Sequence, residues 1–219
     1  MLGVFRLNLA YYIFLLLIIF LLFFLFQKNY ELSPKKIKVY MGIVITLFLL
    51  RYIGLFTLCI IKDGSFVNLF KPMLFLNQLC IPLMVLALAY VFLRWDKLDF
   101  NINYIIAIVF SLIYGGSLFI AEDRISFNPK YGYIINIKNE AIFYLISLVV
   151  IGALLAFCVY FIDKPNSNSK GMVYLVVALS FIIVEYILYI GGIRVFPYPI
   201  LGDAIFIFIM NLAVNTFKK

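Results

Sequence analysis

Two ionic side chains stand inside long apolar runs, where hydrocarbon would reject them. Arg51 follows Leu49-Leu50 and precedes Tyr52-Ile53-Gly54, and Glu185 interrupts Phe181-Ile182-Ile183-Val184 and Tyr186-Ile187-Leu188. A charge at mid-membrane costs from about 2.5–3.5 kcal/mol on insertion scales to far more in simulation, so such a group pairs, reaches water or marks a ligand. Asn77 and Gln78 lie about one and a half helical turns past Pro72, with Pro82 a turn further on. Pro82 removes a backbone hydrogen bond and is expected to kink its helix, as membrane helices tolerate where neighbours re-satisfy the freed carbonyl. Asp203, Asn211 and Asn215 follow i, i+8, i+12 spacing and are expected to share one broad inward face.

The missing residue types narrow the chemistry. The chain has no histidine, so His-ligated metals, Ser-His catalysis, histidine pH switching and phosphotransfer through histidine have no residue to act through. Cys59, Cys80 and Cys158 lie far apart in apolar runs without the paired spacing of zinc or redox sites, and read as small buried hydrophobes. Retinal attachment would need a lysine in the last apolar segment, and 200–217 has none. The sequence carries no acid, serine or metal set at the helical spacing of an intramembrane hydrolase. An ion pump is expected to carry more buried carboxylates than Glu185. No catalysis, metal or cofactor is therefore expected. The formal net charge is +8, but the basic residues are scattered between apolar segments, which is a topology signal instead of a nucleic-acid groove.

The elements that position these residues follow from composition. Of 219 residues, 66% are hydrophobic and 13% charged, and the mean hydropathy is +1.13. Soluble proteins run at about 45–50% apolar and about 25% charged, so the surplus must face lipid. Backbone groups in lipid must be satisfied internally, so the fold class is an all-α polytopic membrane protein. Seven runs approach the roughly 20 residues a helix needs to cross: 9–27, 39–61, 72–93, 102–121, 141–162, 171–190 and 200–217. They predict a single seven-helix transmembrane domain over 1–219. A six-span alternative stays open, because the fourth run contains Gly115-Gly116 and the seventh follows Pro197 and Pro199. The first run is too long for a signal-peptide core and Phe23-Phe24-Leu25-Phe26-Gln27 offers no cleavage site, so it is expected to stay as an anchor. The longest connections, 28–38 and 122–140, are too short to bury a core of their own.

Counting Lys and Arg orients the bundle. One side holds ten: Lys28, Lys35, Lys36, Lys38, Arg94, Lys97, Lys164, Lys170, Lys218 and Lys219. The other holds seven: Arg6, Lys62, Lys71, Arg124, Lys130, Lys138 and Arg194. The positive-inside rule makes the first side cytoplasmic and puts the N-terminus outside. Arg51 then lies 13 residues past Lys38 and Glu185 lies 15 past Lys170, a height difference of about 3 Å. The expectation is that the two pair across the interior. The alternatives are that each faces a water-filled cavity, or that Arg51 binds helix-end carbonyls. With Asn77 and Gln78 they would form an outward polar pocket for a small or amphipathic ligand, unless the two amides merely bond between helices. The stiff segment Gly191-Gly192-Ile193-Arg194-Val195-Phe196-Pro197-Tyr198-Pro199 is either a plain turn or part of a lid over that pocket.

The order of features resembles the N-terminal seven-transmembrane sensor region of bacterial histidine kinases and related diguanylate cyclases. The resemblance is carried by Leu76-Asn77-Gln78-Leu79-Cys80-Ile81-Pro82, by Leu86-Ala87-Leu88-Ala89-Tyr90 before Arg94-Trp95, by Lys130-Tyr131-Gly132-Tyr133 after the fourth span, and by the Gly-Ile-x-x-x-Pro-x-Pro-Ile-Leu-Gly entry at 192–202. It covers most of the chain in layout through short, hydrophobic matches. It implies an external N-terminus, a location in the bacterial cytoplasmic membrane and a non-catalytic sensing role. Family members continue from the seventh helix into a cytoplasmic signalling domain, whereas this sequence stops at Lys219; it is either a truncated piece or a stand-alone relative, and in the second case a cytoplasmic or membrane signalling partner is expected. Two other roles stay open: a transport subunit or substrate-binding permease component, and a membrane accessory or immunity protein. A polar path reaching both faces would favour transport; a pocket open only outward would favour sensing.

Overall fold

The computed structural model describes residues 2–61, 64–94, 100–165 and 167–218. Lys62, Lys97 and Lys219, and the Arg6 side chain, which entered the charge count, lie outside what it describes. Helices make up most of it: α1 (Leu2–Leu32), α2 (Lys35–Ile60), a 3-10 helix (Gly64–Phe70), α3 (Lys71–Leu74), α4 (Asn77–Leu93), α5 (Asn101–Ile120), α6 (Glu140–Tyr160), α7 (Ser169–Ile190) and α8 (Leu201–Asn215). Among the described residues, six helical stretches are long and apolar enough to cross a membrane: 9–32, 35–60, 66–93, 101–120, 140–160 and 169–190. At 15 residues α8 spans only about 22 Å against a hydrocarbon core of about 30 Å.

Inward faces follow a seven-residue rhythm. In α1 the buried positions are Tyr11, Leu15, Ile18, Leu22, Leu25 and Asn29, and in α2 they include Ile37, Met41, Val44, Phe48, Arg51, Leu55 and Leu58. Steps of four and three keep one seam of each helix against its neighbour, as in coiled coils, and α1 packs against α2 along it. Arg51 therefore sits on the core stripe of α2. The centre of the bundle is α4, thirteen of whose seventeen residues are buried. By contrast α5 buries only Asn103, so α5 is peripheral.

The third predicted span, 72–93, is not one helix. The 3-10 helix and α3 lead to Phe75 (φ −94°, ψ 7°), where the α-helix stops before α4 begins. Across this break the backbone uses i→i+3 bonds, Gln78 N–H to the Phe75 carbonyl (3.1 Å) and Leu79 N–H to that of Leu76 (3.1 Å), the tightened turn common at helix ends. Pro82 lies inside α4 and is buried.

The 122–140 connection also differs from the expected loop. It is a β-hairpin, β1 (Asp123–Asn128) against β2 (Gly132–Ile137), antiparallel in the register Asp123↔Ile137 to Asn128↔Gly132. Its turn is set by the Asn128 side chain, which accepts from Lys130 N–H at 2.9 Å, and by Gly132 at φ +77°. A Cβ at Gly132 would also collide with the Leu58 carbonyl, so glycine lets the hairpin rest on the end of α2. Alternation turns Ile135 and Ile137 inward, fully buried.

Tyr198 clamps the hairpin from the 191–200 segment. Its hydroxyl accepts from Ile135 N–H (2.8 Å) and donates to the Ile135 carbonyl (3.2 Å). Burial pushes this phenol above its ordinary pKa, the Ile135 bond opposing, so it stays a protonated donor throughout the physiological range. Tyr198→Phe keeps the buried ring and removes the bonds, and is expected to lower stability by about 0.5–1.5 kcal/mol. The loss should appear as faster amide exchange over 132–137, with α5 and α6 unchanged.

Successive passes alternate between two ends. At the hairpin end Tyr11 meets Tyr131 (ring centroids 5.4 Å) and Phe196 (5.3 Å), and Tyr12 donates to the Lys130 carbonyl (3.1 Å). At the opposite end Asn29 donates to the Lys38 carbonyl (2.9 Å), Tyr104 to that of Lys36 (2.7 Å), and Lys28 to Asn211 Oδ1 (2.6 Å). Tyr11 of α1 is therefore at the hairpin end and Asn211 of α8 at the other.

Candidate functional site

The start of α8 needs help from elsewhere in the chain. Ile200, its N-cap, has no side-chain acceptor, yet the first N–H groups of a helix need partners, and lipid has none. Glu185 of α7 supplies them: one carboxylate oxygen accepts from Leu201 N–H (2.9 Å) and the other from Gly202 N–H (2.7 Å). A Cβ at Gly202 would collide with the Ile182 side chain and stand 2.9 Å from Glu185 Oε2. Glycine is what allows α7 and α8 to approach this closely.

Asp203 follows in the same first turn, where a negative charge suits the helix dipole. It forms an ion pair with Arg51 Nη1, and its Oδ2 accepts from the Tyr52 hydroxyl at 2.8 Å. The rest of the Arg51 guanidinium is bonded too: Nε donates to the Leu74 carbonyl (3.1 Å), Nη2 to that of Pro199 (2.9 Å), and Nη1 also to Tyr52 (3.4 Å). Arg51 is 0% and Asp203 2% exposed. The planar fork of arginine fits this role, because it reaches a carboxylate and two backbone carbonyls at once. One buried cluster thus joins α2, the end of α3, the 191–200 segment and α8.

The expected Arg51–Glu185 pair is corrected by this geometry. Counting residues placed the two at one height and was silent on direction around the helix axis. Asp203 occupies the direction Arg51 faces, and Glu185 is committed to backbone amides. The alternative in which Arg51 binds helix-end carbonyls describes part of what is found.

The four expected ligand residues do not surround one pocket. Arg51 is enclosed. Asn77 is buried and donates to the Tyr186 hydroxyl (3.0 Å), beside a run of rings from Tyr186 to Tyr144 (5.1 Å) to Tyr189 (4.8 Å). Gln78 lines a cleft with α5 and α6. Glu185 borders a separate cavity of about 240 Å³ between α7 and residues 193–202, together with Tyr189, Arg194, Phe196, Leu201 and Gly202. Arg194 pairs with Glu140 and lies over the Tyr189 ring, 4.2 Å from its centroid. In the stiff 191–199 segment Gly191-Gly192 make the turn and residues from Ile193 onward line the cavity.

The polar face expected on α8 holds for two of its three members. Asp203 is buried and Asn211 is half-buried on Lys28, but Asn215 is exposed. At 100° per residue the i to i+12 span covers about 120° of the helix, and Asn215 falls at its far edge. Tyr52, Tyr144, Tyr186 and the Arg194–Glu140 pair were not among the expected site residues. Tyr52 and Tyr186 each adjoin a flagged ionic residue, which was the available signal. Cys80 and Cys158 are buried and Cys59 is half-buried, all as free thiols.

These observations define a helical bundle with several helices fit to span a membrane, organised around a buried ionic cluster at the start of α8. Neither a family model nor a curated protein matches the chain.

Proposed function

We propose that this chain is a seven-span sensor module of a bacterial cytoplasmic membrane, N-terminus outside and C-terminus inside. On this reading it resembles the sensor region of histidine kinases and acts without catalysis. A small or amphipathic ligand enters the cavity at the hairpin end, and a signalling partner reads the position of α8 at the opposite end. The observation that carries the reading is the coincidence of cavity and anchor: Glu185, Leu201 and Gly202 line the cavity and are the residues whose bonds fix the start of α8. A ligand there changes the bundle only by its difference in affinity between two α8 positions. At about 240 Å³ the cavity is below the roughly 300–1,000 Å³ of drug-sized sites, so the occupant is small or inserts only part of itself. Counting α8 as a seventh span relies on local bilayer thinning and snorkelling of flanking residues, which accommodate a short helix at modest cost. The burial of the Arg51–Asp203 pair favours a latch over a permeation path.

Spin labels at Glu31 and Thr216, both exposed at the end remote from the cavity, test this in nanodiscs, in a background with the three cysteines replaced by alanine. Val184→Trp, which fills the cavity, and Asp203→Asn, which weakens the latch, are each expected to shift the inter-label distance distribution. Unchanged distributions in both variants, with helical content retained, would overturn the proposal.

A further inference from the structure

A second opening, of about 140 Å³, lies between α4, α5 and α6. Its walls are largely apolar, with Pro82, Phe110, Phe143 and Val150 among them, and it faces outward between the two helices that contribute least to the core, α5 and α6. Four of its polar groups have partners inside the protein. Asn77 donates to Tyr186 (3.0 Å), Tyr114 to the Pro72 carbonyl, Ser117 to the carbonyl of Tyr114 (2.7 Å) and Ser147 to that of Phe143 (3.0 Å). Gln78 is different: its Nε2 is buried and has no acceptor among the described residues.

A buried donor left unpaired costs about 1–3 kcal/mol, and hydrocarbon offers it nothing. An occupant that carries an acceptor and is otherwise apolar enough for these walls would satisfy it. Among the described residues no charged side chain lines the cleft, so a carboxylate would be left without a counter-ion, whereas a neutral carbonyl matches an amide donor. Position along the helices agrees. Gln78 lies in the first turn of α4 and Ser117 in the last turn of α5, at the hairpin end, while Pro82, Phe110 and Val150 lie deeper. Polar above and apolar below is the order of an ester linkage and its acyl chain in a leaflet.

We infer that this cleft holds one acyl chain of a bilayer glycerolipid, its ester carbonyl accepting a hydrogen bond from Gln78 Nε2. The inference requires the bundle to lie in a bilayer and is independent of the sensing role, so unmoved spin labels in the preceding experiment leave it standing.

The test is a thermal-shift titration of delipidated protein in detergent. The probes are a diacyl phosphatidylglycerol and its dialkyl ether analogue, which keeps the chains and headgroup and lacks the ester carbonyls. Wild type is expected to gain several degrees in Tm from the ester lipid and less than half of that from the ether. Gln78→Leu, and Gln78→Met as a second variant, should be no less stable than wild type without lipid, since no protein bond is lost, and should respond equally to the two lipids. Equal ester and ether shifts on wild type, or no shift with either, would overturn the inference. So would loss of lipid-free stability or of folding in both variants, because Gln78 would then have a partner within the protein.

Discussion

Replacing Asp203 by leucine is expected to destabilise the bundle by about 3–5 kcal/mol, the range for breaking a buried ion pair by removing one partner. The charge of Arg51 would remain at 0% exposure with the Leu74 and Pro199 carbonyls as its acceptors, and Tyr52 would lose the carboxylate it donates to. Two backbone carbonyls offset part of a guanidinium's desolvation, and a full positive charge in this interior still needs an anion. The double variant Arg51→Met/Asp203→Leu removes both charges and is expected to recover most of the loss, because a well-packed apolar pair of similar volume often equals or exceeds a buried salt bridge in stability. Unfolding by sodium dodecyl sulfate in mixed micelles, followed by circular dichroism, gives both numbers. If Asp203→Leu alone costs less than about 1 kcal/mol, Arg51 has another route to neutralisation and the cluster is not what fixes α8.

Most of the helices were legible in the sequence, because roughly 20-residue apolar runs between charged connections leave few alternatives. Their inward faces were not. In a soluble helix polar residues mark the outer side, but here Phe20, Phe23 and Phe24 of α1 are exposed while Leu15, Ile18 and Leu22 are buried, and hydropathy cannot distinguish them. The heptad seam becomes visible only once the partner helix is known. The hairpin at 123–137 was missed for a related reason. Its inward side is two residues, Ile135 and Ile137, and the acceptor and donor that steady it come from Tyr198, more than sixty positions away. The rare ionic residues stand out in the sequence because hydrocarbon makes Arg51, Glu185 and Asp203 costly unless each has a partner, and each has one. Partner choice depends on rotation about helix axes, which residue counting leaves open. That is how Glu185 came to be expected where Asp203 is found.

Glu185 makes its contribution through two backbone amides, so its substitution separates capping from charge pairing. Glu185→Leu leaves the Leu201 and Gly202 N–H groups without acceptors at the start of a helix, at about 1–3 kcal/mol for the buried Gly202 group, Leu201 being exposed. Glu185→Gln retains one carbonyl oxygen and turns a donor toward a donor, so it is expected to fall between wild type and the leucine variant. The damage should concentrate where the bonds are, as rapid amide exchange in the first turn of α8. Because Asp203 sits in that same turn, loosening the cap also misplaces the carboxylate that Arg51 needs. Glu185→Gln combined with Asp203→Asn should therefore be non-additive, with a coupling energy within the 0.5–3 kcal/mol seen for residues in one network. Additivity within about 0.3–0.5 kcal/mol, the limit for independent sites, would mean that the cap and the ion pair hold α8 separately. A ligand in the outer cavity would then reach the Arg51 cluster by some element other than the first turn of α8.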